Sequence, residues 1–314
     1  MHSLRSLIPT GVLLGFVCVI PGAPVWAANP GRPGSINYVE GQVRLDGQAL
    51  GPDAIGGMAA VNAGQVLETQ QGKAEVLLTP GVFLRLGDNT AIRIDSPALT
   101  NTHVTVMRGE AMVEVDQLYR ENNLQVQTNG ATAVLVKRGV YGFTADPAKI
   151  EVFDGEAQVN TGDRHKTVKQ GHDALLNGGI LQEAKFNREM HDGLYLWSNL
   201  RSEYLSEASV GSAQTYVANS GGWYGGGWYW NPWFDAYSFI PGDGFLYGPF
   251  GWGFFSPGFV GYAPFYGGYY GHGYRGYPGR GIAAVRTAPA FHSSFRSEGA
   301  MGFHGGGGGF GGRR

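Results

Sequence analysis

The chain has 314 residues, 23 basic and 25 acidic side chains, and a formal net charge of −2. That length allows about two domains, and a charge near zero provides no electrostatic footprint for nucleic acid. A single cysteine excludes a disulfide framework, so stability must come from a buried core or from a partner.

At the N-terminus Arg5 precedes an apolar run from Val12 to Ile20, followed by Pro21, Pro24 and the small-residue site Val25-Trp26-Ala27. This predicts a cleavable secretion signal over residues 1–27. The run is too short to span a bilayer, and no later run is long enough. Cys18 lies inside it, a poor context for a lipidated cysteine, so the mature chain has no thiol chemistry. The expected location is outside the cytoplasm, in the periplasm or at the cell surface.

Residues 28–180 read as a β-domain. Turn signals recur at Asp46-Gly47, Pro80-Gly81, Gly87-Asp88-Asn89, Arg108-Gly109, Asn129-Gly130, Arg138-Gly139 and Asp154-Gly155. Asn-Gly and Asp-Gly supply the positive φ that two-residue hairpins need, and Pro-Gly pre-sets a type II turn. Between these turns apolar residues alternate with polar ones, as in Ile92-Arg93-Ile94, Val104-Thr105-Val106, Leu124-Gln125-Val126 and Ile150-Glu151-Val152. Alternation places one face inward and one in water. Short strands at this spacing predict an all-β fold: a sandwich, a roll or a short β-solenoid.

The runs Gly72 to Leu78 and Phe83 to Ile94, then Val104 to Val115 around Gly109, Val126-Gln127-Thr128, Phe143, Ile150 to Val159 and Val168-Lys169-Gln170-Gly171 together resemble the FecR-domain family over about Ile36 to Leu176. The family's usual Gly-Thr-x-Phe is replaced here by Arg138-Gly139-Val140-Tyr141-Gly142-Phe143. The resemblance implies a FecR-like β-roll or short solenoid. Signalling members of that family join this domain to a cytoplasmic anti-sigma segment and a membrane span. Neither is read in this sequence, so the resemblance implies the exported binding or scaffold domain alone.

Between residues 181 and 210 the period changes. Phe186, Met190, Leu194, Trp197, Leu200 or Arg201 and Tyr204 recur at steps of three and four, predicting one amphipathic helix. Asp192 to Arg201 resembles the aspartate-tryptophan-arginine helix that follows the FecR domain in many exported relatives. Two roles are open: sealing one end of the β-domain, or docking another protein.

Residues 211–281 are rich in glycine and aromatics, with Trp223, Trp228, Trp230, Trp233 and Trp252 as candidate interaction residues. Aliphatic residues are too few there for an ordinary core. The rings could stack on one another or on the β-domain, contact envelope glycan, lipid headgroups or protein, or belong to a disordered low-complexity segment. Residues 282–314, with the run Gly305 to Gly309, read as a disordered tail.

The sequence shows no P-loop, no Gly-x-Ser-x-Gly elbow, no His-Glu-x-x-His and no cysteine pair. His103, His165, His172 and His191 lack a second ligand at i+2 to i+4, and Asp243 between two glycines reads as a turn. Glu110, Glu114 and Asp116 share a strand face opposite Ala111, Val113 and Val115, which predicts a solvated acidic face. The expectation is therefore a protein that is not an enzyme and needs no cofactor or metal. Its expected partner is an envelope protein or cell-wall polymer, with no nucleic acid. Its role would be an envelope binding or scaffold protein, as an accessory to sensing, or else a surface adhesion or glycan-binding module acting through the aromatic segment.

Overall fold

The structure, a computed structural model, describes residues 31–51, 59–162, 164–177, 180–219 and 223–264. The secretion signal expected over residues 1–27, with Cys18 inside it, the segment from residue 265 to 281 and the tail expected over residues 282–314 lie outside these residues. Fifteen strands form one sheet: β1 Ile36–Leu45, β2 Gln48–Leu50, β3 Val66–Thr79, β4 Val82–Leu86, β5 Ala91–Ala98, β6 Asn101–Arg108, β7 Glu110–Val115, β8 Gln125–Thr128, β9 Ala131–Leu135, β10 Gly139–Ala145, β11 Ala148–Asp154, β12 Glu156–Thr161, β13 Arg164–Lys169, β14 His172–Asn177 and β15 Ile180–Lys185. Their order is β13-β12-β9-β8-β6-β5-β3-β4-β7-β10-β11-β14-β15, with β1 and β2 joined through β3. All pairings are antiparallel except β6 with β8.

Alternation sets the inner face. Val76, Leu84, Ile92, Val104, Val113, Val126, Tyr141, Ile150, Val159 and Val168 are all essentially unexposed and belong to a single hydrophobic cluster. Residues from both ends of the strand order meet in that cluster, so the sheet rolls around one core. Lys166 Nζ on β13 lies 2.9 Å from Glu183 Oε2 on β15, bridging the two edge strands.

The turn residues fall into two kinds. Asp46-Gly47 and Asn129-Gly130, with both residues at positive φ, and Pro80-Gly81, with Gly81 at φ 83°, close hairpins between paired strands. Gly109, Gly139 and Gly155 instead stand at corners, where consecutive strands do not pair and the chain crosses between the two halves of the sheet. At Gly139 a side chain would collide with the Asp154 carbonyl, and at Gly155 with the Tyr141 hydroxyl. The two corners stack, and Tyr141 holds both: its Oη donates to Lys137 O at 2.5 Å and accepts from Glu156 N at 3.1 Å.

The helix α1 runs over Gly193–Asn219, later than the 181–210 read from periodicity. β15 occupies the early part of that window, and Phe186 and Met190 precede the helix. Asp192 sets the start, since its Oδ1 accepts from Tyr195 N at 2.7 Å and satisfies one of the free N–H groups of the first turn. After α1 come two short hairpins, β16 Gly227–Asn231 with β17 Ala236–Ile240, and β18 Phe245–Tyr247 with β19 Gly253–Phe255. The aromatic segment is therefore ordered over these residues, and its rings stack on one another and on the β-domain.

Candidate functional site

The outer face of β3, β4 and β7 carries Glu75, Leu77, Phe83, Arg85, Met112 and Glu114, and all six are buried. Helix α1 and the aromatic hairpins cover them. Leu77 and Phe83 join Leu205, Trp228, Tyr237, Phe239 and Phe254 in a second hydrophobic cluster. The Phe83 and Trp228 rings meet edge-on at 5.1 Å. Each fully buried side chain of this size contributes about 1.5–3 kcal/mol, enough to hold a second layer on a face that also carries charge.

This corrects the solvated acidic face expected from the sequence. Glu110 is exposed, but Glu114 and Asp116 have no exposed surface. Alternation showed that these carboxylates leave the inner core, and it could not show that a helix some eighty residues later covers Glu114 and that Gly248, later still, closes over Asp116.

Glu75 is the hub. Its Oε1 accepts from Arg201 Nη2 and from Asn37 Nδ2, both at 2.8 Å, and its Oε2 accepts from Arg85 Nε at 2.8 Å. Arg85 Nη1 donates to Glu114 Oε2 at 2.6 Å, and Ser202 Oγ donates to Glu114 Oε1 at 2.6 Å. Isolated buried charge costs several kcal/mol per ion, and this group avoids it by setting two arginines against two glutamates. Burial pushes the Glu75 carboxyl up, and Arg201 and Arg85 together outweigh it and hold the group down at about 2. Burial pushes both Glu114 and Asp116 up; Asp116 rises well above the usual carboxylate range because it is buried and stands beside the Glu114 charge. The same burial and the same neighbour favour a proton on Asp116 over a second charge beside Glu114.

The network ties three segments together. Asn37 on β1 also donates to Tyr237 O at 3.0 Å and accepts from Tyr237 N at 2.7 Å, clamping β17 to the domain. Arg201 lies over the Tyr38 ring at 4.3 Å, and Trp197 Nε1 donates to Glu40 Oε2 at 3.3 Å. The aspartate, tryptophan and arginine of the helix motif thus serve as its cap and its two anchors on β1 and β3. A row of buried serines on α1 meets the outer layer: Ser206 donates to Gly253 O at 2.6 Å and Ser209 to Phe239 O at 2.7 Å.

The tryptophans named from the sequence do not converge. Trp228 is buried. Trp230 is half-buried against Tyr237, and Trp252 is half-buried with its Nε1 donating to Asn199 Oδ1 at 2.8 Å. Trp223 is half-buried with an unpartnered indole nitrogen. Trp233 alone is widely exposed, at 78 %. Tyr247, Phe245, Phe259 and Tyr262, which the sequence reading passed over, form in that order a partly exposed row of rings with successive centroids 5.9, 6.4 and 6.1 Å apart. An open depression of about 570 Å³ lies elsewhere, lined by Tyr119, Arg120, Leu124, Val136, Lys137 and Arg138 among others.

Among the described residues no group of three His, Cys, Asp or Glu side chains could hold a metal ion. His191 stacks on Tyr195 at 3.9 Å, and Asp243 Oδ1 accepts from Gly244 N in an exposed turn. No helix of the described residues is long and apolar enough to cross a membrane.

No curated protein matches the chain. Two crystal structures, each of a candidate anti-sigma factor from Parabacteroides distasonis ATCC 8503, are similar at 16 % and 14 % identity with TM-scores of 0.35 and 0.36. They cover 40 % and 48 % of this chain, which in turn spans 61 % and 72 % of theirs. At that level no function passes from them to this chain. The family model described as FecR protein matches residues 65–158, from β3 to β12, the stretch that supplies Glu75, Arg85 and Glu114 to the buried network. The chain carries a FecR domain across residues 65–158.

Proposed function

We propose that the chain is an exported, non-enzymatic cell-envelope protein that binds a partner on a rigid scaffold, as an accessory to envelope sensing. Export rests on the secretion signal read over residues 1–27. The observation that carries the reading is the use made of the buried charge. Glu75, Arg85, Glu114 and Arg201 hold helix and aromatic layer against the FecR domain, so the surface is presented by one body rather than by a loose tail. A preorganised surface loses less freedom on binding.

A second reading, adhesion to envelope glycan, is favoured by the row of rings from Tyr247 through Phe245 and Phe259 to Tyr262, because contiguous exposed apolar surface marks interaction sites. One experiment separates the two. The full chain and a variant with Trp233→Ser, Phe245→Ser and Tyr262→Ser are immobilised, exposed to envelope extracts and tested for co-sedimentation with peptidoglycan. Retention of one protein by both supports the scaffold reading and directs attention to the Tyr119–Arg138 depression. Peptidoglycan retention lost in the variant supports adhesion. Failure of the full chain to retain any envelope component would sink both.

A further inference from the structure

We propose that Asp116 is a proton-linked latch for the aromatic layer: neutral, it lets Gly248 dock against it, and ionised, it releases that contact. Asp116 follows directly on β7, has no exposed surface, and neither of its carboxyl oxygens has a hydrogen-bond partner among the described residues. Gly248, in the β18–β19 connection, closes the site. A Cβ there would lie 2.5 Å from Asp116 Oδ1 and 3.5 Å from Glu114 Oε1. The backbone of the outer layer thus sits directly on two adjacent carboxyls and keeps water from them.

The groups around Asp116 make its charge state decisive. Glu114 faces it from β7 and Arg85 from β4, while Arg138 approaches from the start of β10 and donates through Nη2 to Tyr247 O. Helix α1 contributes the neutral Ser202 to Glu114, and the hairpin residues 245–255 carry no charged side chain. Arg85 and Arg201 already balance Glu75 and Glu114. A proton on Asp116 gives Glu114 a hydrogen bond, whereas its loss leaves a surplus negative charge in a site without water. Lifting the hairpin at Gly248 hydrates both carboxyls and relieves this.

Burial, then the Glu114 charge, raise the Asp116 carboxyl in the docked state, while in the lifted state it titrates near an ordinary aspartate, about 3.9. The docked state therefore holds a proton that the lifted state has lost. Docking is strongest below about pH 4 and weakens up to tenfold per pH unit above it, until Asp116 ionises in the docked state as well. Glu207 on α1 acts in the same direction, since burial and then Glu203 push it up to about 7, so the test is made in a Glu207→Gln background.

Amide hydrogen exchange, corrected for intrinsic rate, is followed from pH 5 to 8 on full-length E207Q and E207Q/D116N. Protection of the amides of Leu246, Phe254 and Gly248, whose N–H donates to Trp252 O, should fall with rising pH in E207Q, by up to about tenfold per pH unit. It should stay within about threefold across the range in E207Q/D116N, where the amide mimics the neutral acid, and β4 and β7 should hold steady in both. Parallel decline in the two proteins, or an unprotected hairpin in E207Q/D116N at pH 5, would overturn the proposal. Should the E207Q/D116N protein fail to fold, infrared spectra of E207Q decide. A buried neutral carboxylic acid band at pH 7 supports the latch and its absence overturns it.

Discussion

Replacing Arg201 with methionine removes one of the two cations in the buried network while keeping most of the side-chain volume. Arg201 is 1 % exposed and reaches Glu75 at 2.8 Å. After its loss Arg85 alone must serve both Glu75, at 2.8 Å, and Glu114, at 2.6 Å, leaving one uncompensated negative charge. Removing one partner of a buried pair costs about 3–5 kcal/mol. Asn37 and Arg85 still hydrogen-bond Glu75, which moves the expectation to the lower end, about 3 kcal/mol, and loss of the cation–π contact with Tyr38 adds about 1 kcal/mol. The companion Glu75→Gln strands Arg201 and costs a similar amount. The double variant restores neutrality, with Arg85 against Glu114, so its cost should fall short of the sum of the singles by about 2 kcal/mol or more. Urea denaturation of the four proteins, followed by far-UV circular dichroism, measures the cycle. A cost below about 1 kcal/mol for Arg201→Met, or additive singles, would refute the view that these charges act as a balanced unit.

Other outcomes follow from the same structure. Glu75 is held at about 2 by burial being outweighed by Arg201 and Arg85. Its stabilisation is therefore present above the ordinary glutamate value and lost as pH falls towards 2, and Arg201→Met should move the acid transition upward in a pH-titrated melt. Gly248→Ala forces a methyl onto Asp116 at 2.5 Å and should cost about 1–3 kcal/mol, whereas Gly258→Ala, with open space around it, should change stability by less than about 0.5 kcal/mol. Tyr141→Phe removes the hydroxyl that serves both corners and leaves the Glu156 N–H without that acceptor, a loss of about 1–3 kcal/mol measurable by thermal melting.

The β-domain was legible because period-2 alternation and Asn-Gly or Asp-Gly turns act locally. Gly109, Gly139 and Gly155 were legible as turns but not as corners, since whether flanking strands pair depends on partners elsewhere in the sheet. The network was hidden for a related reason. The Pro80-Gly81 turn alone would pair Glu75 with Leu86, and a bulge between Leu77 and Thr79 shifts Glu75 onto Arg85. Arg201 was ambiguous with Leu200 on the helix stripe; the structure buries Arg201 and leaves Leu200 46 % exposed. Periodicity counts apolar residues, and this helix buries serines at 198, 202, 206, 209 and 212 beside Leu194, Leu205, Ala208, Val210 and Ala213, and those serines read as a polar face. Trp228 and Trp233, close in sequence, differ fully in burial because one lies on β16 facing Phe83 and the other in the turn beyond it.

The aromatic segment is a folded layer of the FecR-domain body, and chymotrypsin probes that packing, because the enzyme cleaves after the residues that fill the layer. A time course on the full chain, read by intact mass, should leave the bonds after Trp228, Tyr237 and Phe239 uncut for as long as the β-domain itself survives. Early cleavage at those bonds, releasing a stable domain that ends near Asn219, would mean that the segment is a loose appendage and no layer of the fold.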